Sequence, residues 1–302
     1  MKFPNLVYKF IYQPNINFFL RNLNRVFNLV FQKGGLRLPP SGIFLLPTNS
    51  GTIKLAANQT SHISQLLYWE GYEKFEYSTI IEKLAPKLNF FLDVGSNIGY
   101  YAILTAISNP NLKIFAFEPA SGPGHFLKKN ISLNKLCNQI THCNLALSDY
   151  DGEITFYEVI SKKYPFLKFN LSGEHNTGTK INPKMFIKTT VRAKRLDDFV
   201  KRQGIEKVDL IKLDTEGTEM TILLSGINTI NQHRPIIICE TLFNVIEGEL
   251  ETFFKNLEYG IFAHVDGSLV RVDSIQRNED NGIRNCFFVP TSKFDLIKEF
   301  VN

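Results

Sequence analysis

The sequence predicts an α/β fold built around a mostly parallel β-sheet. From about residue 80, short apolar runs alternate with helical patterns of about ten residues, which is typical of βαβ units. A turn with two glycines follows the first apolar run, and an acidic residue follows the second. The chain has 302 residues, 44% of them hydrophobic, so it can bury a sizeable core and wholesale disorder is excluded.

The alternation assigns the elements in chain order. Strands are predicted at Asn89–Val94, Lys113–Phe117, Ile140–Leu145, Glu153–Val159, Val208–Leu213, Ile236–Cys239, Ile261–Val265, Leu269–Val272 and Cys286–Val289. Helices are predicted at Ile81–Leu88, Tyr100–Ser108, Pro123–Leu133, Leu196–Arg202, Glu219–Leu224 and Gly248–Leu257. Residues 160–186 are polar and are predicted to form a long loop or insertion, which precedes an extended segment at Ile187–Arg192.

The distribution of charge divides the chain near residue 70. The first 69 residues contain seven basic and no acidic residues, whereas the remainder contains 27 basic and 29 acidic residues. We therefore expect a basic appendage over residues 1–69 and the α/β domain over residues 70–302. Because that domain is nearly neutral, the composition argues against a nucleic-acid-binding face.

Residues 1–40 are basic and rich in aromatic residues at weak helical spacing, and a short hairpin is predicted over Ser41–Leu55. One interpretation is a helical appendage that packs on the domain. The other is an interfacial segment that binds an anionic membrane surface or a partner enzyme such as a glycosyltransferase.

The sequence predicts a cytoplasmic protein, either free or peripheral to a membrane. No run of about 18 apolar residues is present, so no membrane-spanning helix is expected, and no secretory signal is visible. The four cysteines are widely spread without a Cys-x-x-Cys pair, which indicates a reducing compartment and no structural zinc.

The strongest motif covers residues 90–99. A buried strand leads into a turn that holds Gly95 and Gly99, and a helix follows at once. Glycines let the backbone approach a ligand, and a helix N-terminus presents free N–H groups. Asp93 precedes the turn and Asn97 stands where a dinucleotide-binding loop has its middle glycine. A carboxylate at this place suits a ligand with a cationic ammonium group, such as S-adenosylmethionine.

A second acidic residue follows the next strand. Glu118 lies 23 residues after Gly95, which is the distance needed to cross one helix and reach the end of the second strand. An acidic side chain there accepts hydrogen bonds from ribose hydroxyls in nucleoside sites. Glu118 therefore supports a nucleoside ligand without distinguishing S-adenosylmethionine from NAD.

Several ordered motifs resemble those of the FkbM family of S-adenosylmethionine-dependent methyltransferases. They are Asp93-Val-Gly-Ser-Asn-Ile-Gly-Tyr-Tyr, Phe117-Glu118-Pro119, Asn144-Leu-Ala-Leu-Ser148-Asp149 and Lys212-Leu-Asp214-Thr-Glu216-Gly217-Thr-Glu219. The resemblance covers about residues 70–290. It implies a Rossmann-like class I methyltransferase fold, with a mostly parallel seven-stranded sheet and an antiparallel C-terminal strand. It also implies O-methylation, often of sugar or natural-product hydroxyls.

The resemblance assigns cofactor-binding roles to seven residues. The methionine part of S-adenosylmethionine would be held by Asp93, Gly95, Asn97 and Gly99. Glu118 would bind the ribose, and Ser148 and Asp149 would flank the adenine. Asp149 has an alternative role, because in Ser-Asp-Tyr-Asp-Gly it can simply begin a turn before the next strand.

Candidate catalytic residues follow two neighbouring strands at the carboxyl edge of the sheet, where open parallel sheets bind ligands. Candidates for the base that removes the acceptor proton are Asp214, Glu216, Glu240, Lys212 and the loop residue His175. Asp214 has the best position, although a carboxylate there can also cap the following helix, as can Glu219. Lys212 lies inside an apolar strand and needs a carboxylate partner.

A divalent metal is not expected, although Asp214 and Glu240 together would suit Mg²⁺ if a third ligand were present. An alternative within the same chemistry is N-methylation of protein or a small molecule, but the sequence lacks an Asn/Asp-Pro-Pro-aromatic motif. Two alternatives do not involve methyl transfer. One is an NAD-dependent oxidoreductase, which would need a Gly-x-Gly-x-x-Gly loop, and the other is a non-catalytic module that has the same fold. The acceptor that the resemblance implies is a hydroxyl group on a glycan, a lipid-linked glycan or a related metabolite.

Overall fold

The structure is a computed structural model that describes residues 3–31, 37–172 and 186–302. The predicted loop candidate His175 lies outside the described residues. The described α-helices are α1 (Phe3–Ile11), α2 (Pro14–Phe31), α3 (His62–Glu70), α4 (Ser78–Leu84), α5 (Tyr100–Ser108), α6 (Ser121–Leu133), α7 (Leu196–Arg202), α8 (Glu219–Ser225), α9 (Ile227–His233), α10 (Glu247–Asn256) and α11 (Phe294–Ile297).

The described strands are β1 (Gly42–Pro47), β2 (Thr52–Ala57), β3 (Phe90–Val94), β4 (Lys113–Phe117), β5 (Ile140–Cys143), β6 (Ala146–Leu147), β7 (Gly152–Val159), β8 (Phe186–Lys194), β9 (Leu210–Leu213), β10 (Ile236–Glu240), β11 (Tyr259–Val265), β12 (Ser268–Arg271) and β13 (Asn285–Pro290). Short 3₁₀ turns cover Tyr72–Lys74, Ala85–Lys87, Thr291–Lys293 and Lys298–Phe300.

The main sheet has the order β12-β11-β13-β10-β9-β3-β4-β5. The strands β10, β9, β3, β4 and β5 are parallel neighbours, and β13 runs antiparallel between β10 and β11. The predicted α/β fold, with its mostly parallel sheet and antiparallel C-terminal strand, is therefore confirmed. One further strand, β12, pairs with the outer edge of β11, so the sheet has eight strands rather than seven.

A second, three-stranded sheet contains β7 and β8, which the sequence predicted as a strand at Glu153–Val159 and an extended segment at Ile187–Arg192, and β6, which was not predicted. Strand β7 pairs antiparallel with β8 over its whole length, and β6 joins the free edge of β8. The predicted strand Ile140–Leu145 was too long, because the Leu145 N–H bonds back to the Cys143 oxygen at 2.9 Å and turns the chain out of the main sheet. Helices α3, α9 and α11 were not predicted from the sequence.

The core lies on both faces of the main sheet. One cluster joins β2, α5 and α6 through Ile53, Ile103 and Leu127, all fully buried. The other joins α8 and α10 to the opposite face through Leu223 and Phe254. The division into residues 1–69 and 70–302 stays a prediction, and the hairpin of β1 and β2 packs into the same cluster as α5.

Candidate active site

A cleft of about 300 Å³ opens at the carboxyl edge of the main sheet. Its floor is formed where β3, β4 and β9 end, and its wall is the β7–β8 ladder with residues of the segment that follows β7. This is the edge at which parallel α/β sheets bind their ligands. The cleft is lined at its floor and wall by Gly95, Asn97, Phe117, Glu118, Ser148, Phe156, Lys168, Asn170, Asp214, Glu216 and others.

Gly95 allows the turn after β3 to lie directly against the end of β9. Its φ is +73°, and a Cβ atom at this position would overlap the main-chain oxygen of Asp214. The N–H groups of Gly95 and Ser96 donate to the Phe117 oxygen at 3.1 and 3.0 Å. A side chain at position 95 would therefore push apart the three strand ends that form the cleft floor.

Glu118 is buried at the end of β4 and joins two loops. Its carboxylate accepts hydrogen bonds from the N–H groups of Asn97 and Ala120, both at 2.9 Å. Burial raises the pKa of Glu118 to about 7, although these two backbone donors oppose the rise. Glu118 thus has a structural role in addition to the predicted ribose contact, and it titrates near neutral pH.

Lys212 is a buried cation between two carboxylates. Its ammonium lies 3.1 Å from Asp214 Oδ2 and 3.6 Å from Asp93 Oδ1, and it also donates to the Gly95 oxygen at 3.3 Å. Burial by itself lowers the pKa of Lys212, but Asp214 and Asp93 outweigh it and hold the pKa above its ordinary value. The prediction that this strand lysine needs a carboxylate partner is confirmed.

Asp93 lies beneath the cleft rather than in its lining. Its side chain is 1% exposed, and neither carboxylate oxygen has a hydrogen-bond partner among the described residues, although Lys212 faces it. Burial raises the pKa of Asp93 and Lys212 opposes that rise. The amide oxygen of Asn97 is likewise buried without a described hydrogen-bond partner, and Asn97 does line the cleft.

Three carboxylates meet on the β9–β10 side of the cleft. One oxygen from each of Asp214, Glu216 and Glu240 lies within 4.8 Å of the others. Burial, followed by the charges of Asp214 and Glu216, raises the pKa of Glu240 to about 9. Burial and the neighbouring negative charges thus both favour the protonated form of the Glu240 carboxyl, while the ammonium of Lys212 faces Asp214.

The remaining predicted site residues lie near the cleft but not in its described lining. Gly99 has a φ of +86° and precedes α5, where a Cβ atom would overlap Leu127. Asp149 is exposed, accepts a hydrogen bond from Ser148 Oγ at 3.0 Å, and belongs to the turn before β7. Glu219 is buried in the first turn of α8 and accepts from the Thr215 N–H at 2.8 Å, which is the alternative capping role.

Sequence reasoning did not identify the wall of the cleft. Glu158 of β7 accepts hydrogen bonds from the Ser121 N–H and Oγ at 2.8 and 2.6 Å, and this contact joins the wall to the start of α6. A Cβ atom at Gly122 would overlap the main-chain oxygen of Asn170. The alternating pattern of β7 and the glycines after Ser121 were the available signals, but neither shows that these segments meet.

The chain matches the family model described as the methyltransferase FkbM domain over residues 93–261, which is more than half of its length. It is 30% identical over 156 residues to the methyltransferase sdnD of Sordaria araneosa, a match that covers 46% of this chain and 60% of that protein. It is 25% identical over 177 residues to the 2-O-methyltransferase NoeI of Sinorhizobium fredii, which covers 57% of this chain and 70% of that protein.

A further relative is the hexuronic acid methyltransferase AglP of Haloferax volcanii, 27% identical over 146 residues that cover 48% of this chain and 53% of that protein. The chain thus spans about three fifths of the length of sdnD and about half that of AglP. The family match includes the turn after β3, Glu118, Lys212 and the three clustered carboxylates. The chain belongs to the FkbM family of methyltransferases.

Proposed function

We propose that this methyltransferase uses S-adenosylmethionine and methylates a hydroxyl oxygen on a sugar or related metabolite. The observation that carries the proposal is the cleft. Glu118, an acidic residue at the position that binds ribose in nucleoside sites, lies on one side, and a carboxylate cluster lies on the other. When bound, S-adenosylmethionine supplies an electrophilic methyl group on a cationic sulfur. The protein must then orient the acceptor oxygen and accept its proton.

The cleft fits this cofactor at three places. The buried, unpartnered amide oxygen of Asn97 can accept a hydrogen bond from the amino acid part, and the turn at Gly95 leaves room for it. Glu118 can accept from the ribose, and Ser148, which lines the same cleft, is proposed to flank the adenine. We propose that Asp93, Gly99 and Asp149 act indirectly: Asp93 through its charge and the other two through the backbone turns in which they lie.

The acceptor side is polar, as a sugar requires. Lys168, Asn170 and Ser172 line the cleft from the segment after β7, and Thr218 lines it from the β9 side. Hydroxyl, amide and ammonium groups can each bond a polyhydroxy acceptor. The relatives AglP and NoeI, a hexuronic acid methyltransferase and a 2-O-methyltransferase, support this choice of acceptor.

We further propose a cytoplasmic location, with an acceptor that is a free or lipid-linked glycan. No described helix has both the length and the apolarity that crossing a membrane requires. The four cysteines are unpaired, and three of them are buried. Cys239 and Cys286 are opposite each other on β10 and β13.

Glu118→Gln is expected to weaken binding of S-adenosylhomocysteine by roughly 1–3 kcal/mol, because it removes the charge from a hydrogen bond to the ribose. The ionised form of Glu118 accepts those bonds, and its pKa is about 7 in the free protein. Affinity should therefore fall as pH drops below about 7 in the wild type and stay level in the variant. Isothermal titration calorimetry at pH 6 and pH 8 measures both effects, with NAD as the ligand that should not bind.

Equal affinity in the two proteins at pH 8 would contradict this placement of the ribose. Glu153→Gln provides the matched control, because Glu153 is exposed on β7 and does not line the cleft. A thermal melt of each variant separates loss of the ligand contact from loss of the two backbone hydrogen bonds that Glu118 accepts.

EDTA is expected to leave methyl transfer unchanged, because the Lys212 ammonium already neutralises Asp214 in the carboxylate cluster. A divalent ion would have to share Asp214 with the Lys212 ammonium, which lies 3.1 Å from Asp214 Oδ2. Turnover measured with and without EDTA, followed by addition of Mg²⁺, tests this. Loss of activity that Mg²⁺ restores would show instead that Asp214, Glu216 and Glu240 hold a metal, for which their spacing is suitable.

A further inference from the structure

Helices α1 and α2 present their apolar faces to the outside. Large hydrophobic side chains with between 39% and 64% of their surface exposed are Leu6, Val7, Phe10, Phe18, Phe19, Leu23, Val26 and Phe27. On α2, Phe19, Leu23 and Phe27 follow one another at intervals of four residues, and Phe18 and Val26 are eight residues apart. This spacing places the five side chains along one side of the helix. The neighbouring strand β1 adds Ile43 and Leu45, which are 44% and 61% exposed. We call these ten residues the apolar face.

The polar side of α2 is the one that is buried, which is the reverse of an ordinary surface helix. Asn17 and Arg21 are 0% and 2% exposed. The Asn17 side chain accepts from the Ser41 N–H at 2.7 Å, and Arg21 donates to the oxygens of Ser41 and Ile43 at 3.1 and 2.6 Å. These bonds to β1 and the residue before it hold the helix in one rotation, so the outward direction of the apolar face is built into the fold.

An apolar face of this extent requires an apolar environment to cover it. The charge around it indicates which one. Residues 1–69 contain no acidic residue, and Lys9 and Arg25 are exposed on the same two helices as the apolar face. We propose that α1 and α2 lie on the surface of an anionic lipid bilayer, with the apolar face in the headgroup region and the basic residues near lipid phosphates.

Helix α1 and the turn that follows it contact the wall of the cleft. Tyr8 and Tyr12 pack edge-on against Tyr164, with ring centroids 5.4 and 5.6 Å apart. Tyr164 belongs to the segment from which Lys168 and Asn170 line the cleft. Docking would therefore place the acceptor side of the cleft close to the lipid surface, which suits a lipid-linked acceptor. That consequence depends on the proposed function, whereas the docking itself does not.

The test is co-sedimentation of the full chain with vesicles of phosphatidylcholine alone or mixed with phosphatidylglycerol, at 50 mM and 500 mM NaCl. We expect binding to the anionic vesicles at low salt and its loss at high salt. The reason is that the distance over which exposed charges interact falls from about 10 Å at 0.1 M salt to about 3 Å at 1 M salt. Lys9→Gln/Arg25→Gln should weaken partitioning about fivefold per residue, the factor that corresponds to about 1 kcal/mol. Phe10→Gln/Phe19→Gln should abolish it.

The matched control is Leu224→Gln/Val245→Gln, which removes two hydrophobic residues that are each 57% exposed elsewhere on the chain. This control should sediment like the wild type, and all variants should keep the wild-type melting temperature. The proposal is overturned if the wild type stays in the supernatant with anionic vesicles, or if both double variants sediment like the wild type. A dimer in light scattering that Phe10→Gln/Phe19→Gln dissociates would assign the apolar face to a second copy instead. Cofactor affinity is measured in parallel, so failure of docking is distinguishable from failure of the proposed function.

Discussion

Asp214→Asn is expected to lower the turnover number for methyl transfer by roughly 10²–10⁴-fold, the usual contribution of a positioned general base. Affinity for S-adenosylhomocysteine should stay within a few-fold of the wild type, because the substitution keeps the size of the side chain. Asp214 lines the cleft, follows β9 directly, and is 41% exposed, so an acceptor can reach it. Single-turnover kinetics with a saturating acceptor, alongside calorimetry, separates the two quantities.

The neighbours of Asp214 explain why we assign the base to it. Burial and the nearby carboxylates raise the pKa of Glu240, which favours its protonated form, and a protonated carboxyl donates a hydrogen bond rather than accepting a proton. The Lys212 ammonium at 3.1 Å orients the Asp214 carboxylate and stabilises its charge. Glu216 also lines the cleft. It lies in the loop between β9 and α8, where its backbone adopts the left-handed conformation with a φ of +57°.

Two comparisons keep the assignment falsifiable. Asp295→Asn makes the same chemical change at a side chain that is 85% exposed and outside the cleft, so it should leave turnover at the wild-type level. If Asp214→Asn keeps near-wild-type turnover while Glu216→Gln or Glu240→Gln loses it, the base is one of those glutamates. Thermal stability of Asp214→Asn near that of the wild type is required for either conclusion.

Most of the main sheet could be predicted because its strands are short apolar runs between clear helical patterns. Helices α5 and α7 and strand β4 begin and end at the predicted residues. Elements were missed where local patterns are weak: α3 depends on the cap at Ser61, whose side chain accepts from the Ser64 N–H. Strand β12 was predicted as Leu269–Val272, but its place at the outer edge of β11 was not, because local periodicity does not specify which strands pair.

In the site, too, motifs that depend on sequence spacing could be predicted, whereas contacts between distant parts of the chain could not. The turn with Gly95 and the position of Glu118 depend on sequence spacing, so the floor of the cleft could be anticipated. Asp93 and Lys212 are 119 positions apart along the chain, and their meeting depends on the parallel register of β3 with β9. The inverted orientation of α2 is set by Arg21 and its bonds to Ser41 and Ile43, which no helical pattern could reveal.

Lys212→Met is expected to lower the free energy of unfolding by about 3–5 kcal/mol at neutral pH, because it leaves Asp93 buried without a counter-charge. Both side chains are almost fully inaccessible, at 4% and 1% exposure, so solvent screens little of this effect. Unfolding by urea, followed by circular dichroism, measures the loss. The matched control is Lys293→Met at the opposite edge of the sheet, where Asp209 also accepts from the Asn89 and Phe90 N–H groups and stays satisfied.

The pH dependence distinguishes a stranded charge from a simple packing defect. Burial raises the pKa of Asp93 above its ordinary value, and removal of the opposing ammonium raises it further. A carboxyl group whose pKa is higher in the folded than in the unfolded state stabilises the fold at low pH and loses that contribution as pH rises above the unfolded value of about 4. The deficit of Lys212→Met relative to the wild type should therefore grow from pH 4 to pH 8.

A double variant completes the test, because Asp93→Asn removes the charge that Lys212→Met leaves unpaired. If the buried charge causes the loss, Asp93→Asn/Lys212→Met should recover at least half of it at pH 8, and its stability should vary less with pH than that of Lys212→Met. A deficit that is the same at pH 4 and pH 8, and that the second substitution does not reduce, would mean that Lys212 acts through packing. The ion pair would then have no part in holding the ends of β3 and β9 together.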